Sequence, residues 1–278
     1  MEKYVRVGRV LAAIVLAATV FAAVPSSSLG TSIPSSAQLP DLVNMIPIHL
    51  HVQEQQKVDR LMFTLGIANV GTGPLELVPE ALGDRSAYVD ATQKIYDAAQ
   101  ASDGVVVAEN SLSGVFVFHP EHNHWHLAGV NGLSVHRARD DGSGGLWNPA
   151  PFGAAVKESF CLIDYVPLDD KGLGQDEIQR EYFDCFGTHG ISFGWIDYYH
   201  HSTHGQYIDI TGARPGTYYF VVHANPDKIF AESNYDNNRA WVSFELSSKG
   251  NNNAVVKVLT DSYHAAGEGI LPPFKTNR

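Results

Sequence analysis

The chain is short of cysteine and of positive charge, and after its first 24 residues it has no long apolar run. Its 278 residues include only two cysteines, Cys161 and Cys185. These allow one disulfide at most, so stability must come mainly from an apolar core. Nineteen Lys and Arg face 30 Asp and Glu, for a net charge of −11. That balance would repel nucleic acid and an anionic membrane, which argues against either as a partner. It suits a cationic substrate. No internal repeat or low-complexity tract divides the chain.

What is present reads first as an export signal. Lys3, Arg6 and Arg9 form a basic start, Val10–Val24 is an apolar run of 15 residues, and Pro25-Ser26-Ser27-Ser28 follows with turn-prone residues. The run is shorter than the roughly 20 residues a membrane span needs. Residues 1–28 are therefore expected to be a signal peptide and the protein to be secreted. The alternative is an uncleaved segment anchoring it to the outer face of the membrane. Residues 1–30 carry +2, which leaves −13 on the remainder. In an exported protein Cys161 and Cys185 are expected to pair. Closing a loop of about 24 residues would contribute about 3 kcal/mol in the chain-entropy model. Two free buried thiols are the alternative.

Residues 29–39 read as a linker, 40–265 as one domain and 266–278 as a C-terminal tail. Ile46, Ile48, Leu50 and Val52 alternate with His49 and His51, which predicts a first strand. Leu61, Phe63, Leu65 and Ile67 alternate again, and Asn69–Pro74 is a turn before a strand at Leu75–Leu77. Residues 79–103 read as polar and irregular. Further strands are expected at Val105–Val107, Gly114–His119, Leu133–Arg137, Val156–Ile163, Gln206–Ile210, Thr217–Ala224 and Ala240–Leu246, and a short helix within Asp169–Tyr182. Beyond Ser247 the pattern fades. Short alternating strands with Gly and Pro turns predict an all-β fold, a β-sandwich core of short antiparallel strands with long functional loops.

One stretch stands out, Phe118-His119-Pro120-Glu121-His122-Asn123-His124-Trp125-His126. In an extended segment His122, His124 and His126 share one face, and Asn123 and Trp125 take the other. A bent strand could bring the three rings onto one metal ion. Imidazole suits copper, zinc, iron and nickel alike, so the metal stays open at this point. The bland alternative is a His-rich polar loop.

The His spacing of 119–126 resembles the copper loop of the lysyl oxidase family, and other segments resemble that family in the same order. Val156-Lys157-Glu158-Ser159-Phe160-Cys161-Leu162-Ile163-Asp164 is similar to its segment carrying the cofactor lysine. Gly190-Ile191-Ser192-Phe193-Gly194-Trp195-Ile196-Asp197-Tyr198-Tyr199, followed by Gln206–Ile210, is similar to the segment carrying the cofactor tyrosine. Leu39–Val43, Pro215–Tyr218 and Glu232-Ser233-Asn234-Tyr235-Asp236-Asn237-Asn238 resemble its opening and closing motifs. The resemblance runs over nearly all of the chain after the signal, as a microbial-type catalytic domain.

It implies that His122, His124 and His126 are copper ligands and that His119 precedes them without being one. It implies that Lys157 and Tyr199 cross-link into lysine tyrosylquinone. Tyr198 is the adjacent alternative, and spacing back from Asp209 favours Tyr199. Cys161 and Cys185 match two paired cysteines of the family and would tie the Lys157 strand to the loop before Tyr199. Asp197, two residues before Tyr199, would share its face in a strand and is a candidate catalytic base; a solvated surface carboxylate is the alternative. His200, His201 and His204 depart from the family pattern, as exposed loop histidines or as groups that tune copper or substrate. The family's calcium site loses its acidic ligands here, because Leu127-Ala128-Gly129-Val130-Asn131 holds no carboxylate. Asn234, Asn237 and Asn238 remain, and Tyr235 and Trp241 read as packing residues.

The implied function is a secreted copper amine oxidase. It would convert primary amines, peptidyl lysine of extracellular proteins among them, and O2 to aldehyde, ammonia and hydrogen peroxide. The cofactor would carry the hard chemistry and the sandwich would position it. The competing expectation is a non-catalytic metal-binding β-sandwich module for adhesion or binding.

Overall fold

The computed structural model of the chain describes residues 32–86, 88–140, 145–154, 159–168, 179–249 and 253–266. The expected signal peptide, Lys157, most of the expected helix and the tail beyond 266 lie outside the described residues.

Eighteen strands account for about half of the described residues. The first nine are β1 (Leu42–Asn44), β2 (Ile48–Gln55), β3 (Val58–Asn69), β4 (Leu75–Pro79), β5 (Val89–Tyr96), β6 (Val106–Asn110), β7 (Val115–His119), β8 (His124–Ala128) and β9 (Asn131–Arg137). Then come β10 (Gly153–Ala154), β11 (Ser159–Phe160), β12 (Val166–Pro167), β13 (His189–Ile191), β14 (Trp195–Tyr199), β15 (Tyr207–Asp209), β16 (Gly216–Ala224), β17 (Arg239–Lys249) and β18 (Asn253–Asp261). One short helix, α1 (Ser262–Ala266), follows. The fold is all-β, as expected.

The strands form three antiparallel sheets. One runs β1-β3-β14-β12 with β2 and β15 also on β3, a second β10-β9-β16-β17-β18, and a third β11-β8-β7-β5-β4-β13 with β6 on β5. The first two meet across the core, where the rings of Phe63 on β3 and Phe220 on β16 lie 4.6 Å apart. The alternations of Leu61–Ile67 and Ala240–Leu246 point into that core, and all eight residues are buried. The Asn69–Pro74 turn exists because two glycines let the backbone pass closely. A Cβ on Gly71 would sit 2.4 Å from Asp41 N, and one on Gly73 2.3 Å from Gln38 O.

Three expectations are corrected. The first strand is β1, earlier than Ile46–Val52. In β2 the alternation of exposure survives, but a register shift falls between Ile48 and His51. Residues 79–103 are not irregular, since β5 pairs with β4, β6 and β7. Its inward residues include Ala91 and Gln93, which carry little hydrophobic signal. Gln93 is fully buried because its amide exchanges hydrogen bonds with the backbone of Ala231 at 2.8 and 2.7 Å. The chain after Ser247 also stays regular, as β18 pairs along β17. An edge strand with one open face needs few large apolar residues, so its pattern was faint. Among the described residues no helix is long and apolar enough to cross a membrane.

Candidate metal centre

The histidines gather on the β7–β8 hairpin. His119 closes β7 directly opposite His124, which opens β8. Between them His122 N and Asn123 N both donate to His119 O, at 3.1 and 2.9 Å. Asn123 takes a left-handed φ of 56°, which Asn tolerates better than most residues. His124 and His126 share a face by strand alternation, and Trp125 turns inward against Phe118 at 5.5 Å. His122 does not extend that strand as the spacing predicted. It enters from the turn, which removes the gap of roughly 6.6 Å that a straight strand would impose.

The rings converge. His126 Nε2 lies 3.2 Å from His122 Nδ1 and 3.0 Å from His124 Nε2. A first-row ion bound at about 2.0–2.1 Å to tetrahedral imidazoles places their nitrogens about 3.3 Å apart. Both measured separations are close to that value. His126 is 1% exposed, and its other nitrogen, Nδ1, lies 3.3 Å from Ser159 Oγ. A hydroxyl at that nitrogen helps hold the ring's orientation. Ser159 arrives on β11, which pairs with β8.

A fourth ring belongs to the group. His119 stacks on His122 at 4.2 Å, and the ligand atoms of His119, His122 and His126 lie within 4.8 Å of one another. His204 reaches the same corner, 5.7 Å from the His122 ring, with Nδ1 2.9 Å from Glu121 Oε2.

The disulfide backs this hairpin. Cys161 and Cys185 are joined, as expected, with Cα atoms 5.7 Å apart. Cys185 O accepts from Trp125 N at 3.0 Å, and both sulfurs lie within 4.8 Å of a His124 ring nitrogen. On the other side, Tyr199 Oη donates to Cys161 O at 2.5 Å, and its ring meets Phe160 edge-on at 5.2 Å. Cys161 thus stands between Tyr199 and the histidines.

Tyr198 and Tyr199 part company on β14. Tyr198 stacks on Tyr165 and joins the small cluster of Met45, Ala68 and Ile196 on the opposite face. Tyr199 packs on the main core. Burial raises its phenol well above the ordinary value, the charge of Asp197 and the hydrogen bond the phenol donates to it add to this, and the Cys161 carbonyl opposes it. Asp197 is 1% exposed, so the surface-carboxylate alternative is corrected: it is a buried group in contact with Tyr199.

Several contributors were not singled out in the sequence. Ser159 sits in a quoted segment but gave no signal of touching His126. His189 is fully buried, edge-on to Phe116 at 4.8 Å, and burial holds its imidazole down at about 4. Phe186 is two-thirds exposed with its ring 6.5 Å from His124, an apolar lip beside the cluster.

The closing motif is a structural knot. Glu232 accepts from Leu42 N at 2.9 Å and from Asn225 and Asn238 Nδ2 at 2.7 Å each. Asn237 Nδ2 donates to Asp41 Oδ1 at 2.9 Å, and Asn234 Oδ1 accepts from Asp236 N at 3.0 Å. The carboxylate is committed to N–H donors, whereas within this motif the buried side-chain oxygens of Asn237 and Asn238 have no hydrogen-bond partner. Calcium wants six to eight oxygens, and the side-chain oxygens gathered here are those of Asp41, Glu232, Asn237 and Asn238. Tyr235 Oη donates to Phe230 O at 3.0 Å, and Trp241 packs on Tyr219 at 5.2 Å, so both pack as expected.

Comparison with known proteins reaches the same neighbourhood. Residues 152–257 match the lysyl oxidase family model, a span that holds the disulfide, Tyr199 and the Glu232 knot but not the hairpin. Lysyl oxidase homolog 2 of Gallus gallus is 29% identical over 178 residues, 56% of this chain and 20% of that protein. Its Homo sapiens counterpart is 43% identical over 84 residues, 30% of this chain and 10% of that protein. Lysyl oxidase homolog 2A of Danio rerio is 42% identical over 82 residues, 30% of this chain and 10% of that protein. The matches thus span a fifth or less of these relatives' length. The matched span, with the disulfide and Tyr199 inside it, and these relatives all point to the lysyl oxidase family.

Proposed function

We propose that the chain is a secreted copper-dependent amine oxidase acting on primary amines, with peptidyl lysine as a candidate substrate. The observation that carries the reading is the meeting of His122, His124 and His126 nitrogens within 3.2 Å of His126 Nε2, backed by the residue that holds the Tyr199 phenol. His122, His124 and His126 would hold copper, and His119 would brace His122 by stacking. Tyr199 would be cross-linked to Lys157, two residues before Ser159 in sequence. When present, copper and the quinone supply a two-electron oxidant that O2 restores, so that amine, O2 and water become aldehyde, ammonia and hydrogen peroxide.

The chain's own part is placement and proton transfer. Cys161 O and Phe160 fix the Tyr199 ring against rotation. Asp197, buried beside that phenol, would take the proton that leaves the amine's α-carbon. Its burial keeps bulk water away from the proton it holds. The acidic surface attracts ammonium groups from a distance, an effect that weakens as salt rises.

The test is peroxide release from a simple alkyl primary amine by the copper-loaded chain, with absorbance read before and after phenylhydrazine. Activity and a shifted visible band support the oxidase. Peptide mass mapping should find Lys157 and Tyr199 joined. Tyr199→Phe should abolish both signals with copper still bound. A copper-loaded, colourless chain with separate Lys157 and Tyr199 peptides would instead establish a binding module.

A further inference from the structure

A second set of histidines lies away from the hairpin. His49 and His51 project from β2, and His200 and His201 begin the loop between β14 and β15. Ligand atoms of His49, His200 and His201 lie within 4.8 Å of one another. The His201 ring is 5.4 Å from His49, 5.1 Å from His51 and 3.9 Å from His200. His49 and His200 are 151 positions apart, so the fold, not local sequence, assembles the group.

Two features of the backbone favour it. The register shift between Ile48 and His51 breaks the pairing of β2 with β3 at this point. His49 itself has φ of 57°, a left-handed conformation that costs a residue other than glycine about 1 kcal/mol. Bulges and such strained residues re-aim side chains and gather at functional positions.

The hydrogen bonds prepare the rings. Thr64 Oγ1 lies 3.0 Å from His49 Nδ1 and 3.4 Å from His201 Nδ1, and accepts from His201 N at 3.0 Å. One hydroxyl therefore engages the Nδ1 side of two rings and leaves Nε2 of each for a ligand. His51 Nδ1 faces His49 O at 2.9 Å. A carbonyl only accepts, so Nδ1 carries the proton and Nε2 of the neutral ring is bare. His200 Nδ1 accepts from Ser202 N at 3.2 Å, and Ser202 Oγ at 2.8 Å can accept from Nδ1–H in the other tautomer. Partners on the non-ligating nitrogen are how metal-bound imidazoles are held.

We propose that His49, His200 and His201, with His51 beside them, form a second metal site that binds a first-row divalent ion of the Zn(II) or Cu(II) type. The all-imidazole donor set excludes Mg(II) and Ca(II), which take oxygen ligands. Closing the site needs ring movements of about 1 Å to bring nitrogens to about 3.3 Å of one another. His49 and His200 are exposed, and exposed side chains rearrange in picoseconds to nanoseconds, so that movement is cheap.

An ion there would clamp the 200–205 loop onto β2. That loop runs straight on from Tyr199 and carries His204 back to Glu121 and the hairpin. The second ion would thus be structural, fixing one end of the Tyr199 strand. The proposal needs neither the quinone nor amine turnover.

The test is metal counting on the full chain after loading with Zn(II) and dialysis, by plasma mass spectrometry. The expected count is two ions per chain, falling to one in His49→Asn/His201→Asn and to one in His126→Asn. A wild-type count of one that only His126→Asn removes would overturn the second site, as would an unchanged count in the double variant. A second measurement uses the wild type alone and does not depend on variants folding. Zn(II) beyond the first equivalent should lower diethyl pyrocarbonate labelling of the peptides holding His49 and His200–His201 at least tenfold. Unchanged labelling overturns the site.

Discussion

The β7–β8 hairpin and the Glu232 knot are both polar, both buried in part and both legible as motifs, yet they are built in opposite ways. At Glu232 one carboxylate meets three N–H donors from Leu42, Asn225 and Asn238. The carboxylate and its donors match, although the Asn237 and Asn238 side-chain oxygens beside them have no partner. At the hairpin, ring nitrogen approaches ring nitrogen. Each neutral imidazole has one proton for two nitrogens, so bringing three together concentrates lone pairs. The first arrangement ties β1 to the 225–238 loop. The second is complementary to a cation. Whether a buried polar cluster is balanced internally separates a structural motif from a binding one.

Exchanging the two effects by mutation gives the largest test. Glu232→Ala strands Leu42 N and weakens the holds on Asn225 and Asn238, all buried. It should cost about 4 kcal/mol in urea unfolding, the range for breaking a buried hydrogen-bonded charge. The folded fraction should keep its full metal count. His126→Ala should do the reverse, losing one ion per chain with a smaller stability loss in the metal-free form. If Glu232→Ala sheds metal, or His126→Ala keeps it, the distinction fails.

The disulfide ties the hairpin to Tyr199 and should give the next effect. Removing it as Cys161→Ser/Cys185→Ser frees a loop of about 24 residues and should cost about 3 kcal/mol. Because Cys185 O holds the hairpin at Trp125 and Cys161 O holds Tyr199, metal affinity and Tyr199 placement should suffer together. Chemical denaturation and a metal competition assay on the same preparation would show this. An unchanged metal affinity would mean that the hairpin holds its shape unaided.

The hairpin and Tyr199 were readable because their chemistry is local: four histidines within eight residues, and a tyrosine in a long ordered motif. What was not readable came from elsewhere in the chain. Ser159 reaches His126 only through the pairing of β11 with β8. His49, His200 and Thr64 meet only because β2, β3 and the 200–205 loop adjoin. Strand β5 hid because Gln93 takes a core position by hydrogen bonding rather than by being apolar. The turn at Asn123 changed how His122 arrives without changing that it arrives, since turn conformation is written more weakly than spacing. Asp197 gave its face but not its burial, because burial depends on what packs over the strand.

The smallest of these effects concerns a histidine with neither property, His189, which is buried singly and touches Phe116 rather than a ring of ligands. Its folded value of about 4 lies below the ordinary 6.5, with burial as the first cause. For a base with a depressed folded value, the unfolded chain takes up a proton that the folded chain refuses. Stability is therefore complete above about 6.5 and falls as pH drops toward about 4. Between about pH 7.5 and about pH 5 the loss attributable to this one ring is about 2 kcal/mol. His189→Leu should flatten the pH dependence of metal-free unfolding over that range, while leaving the metal count at neutral pH unchanged. If the slope persists in His189→Leu, the pH sensitivity belongs to the hairpin rings. Metal loading should then remove it, because a bound ion excludes the protons that those rings would otherwise gain.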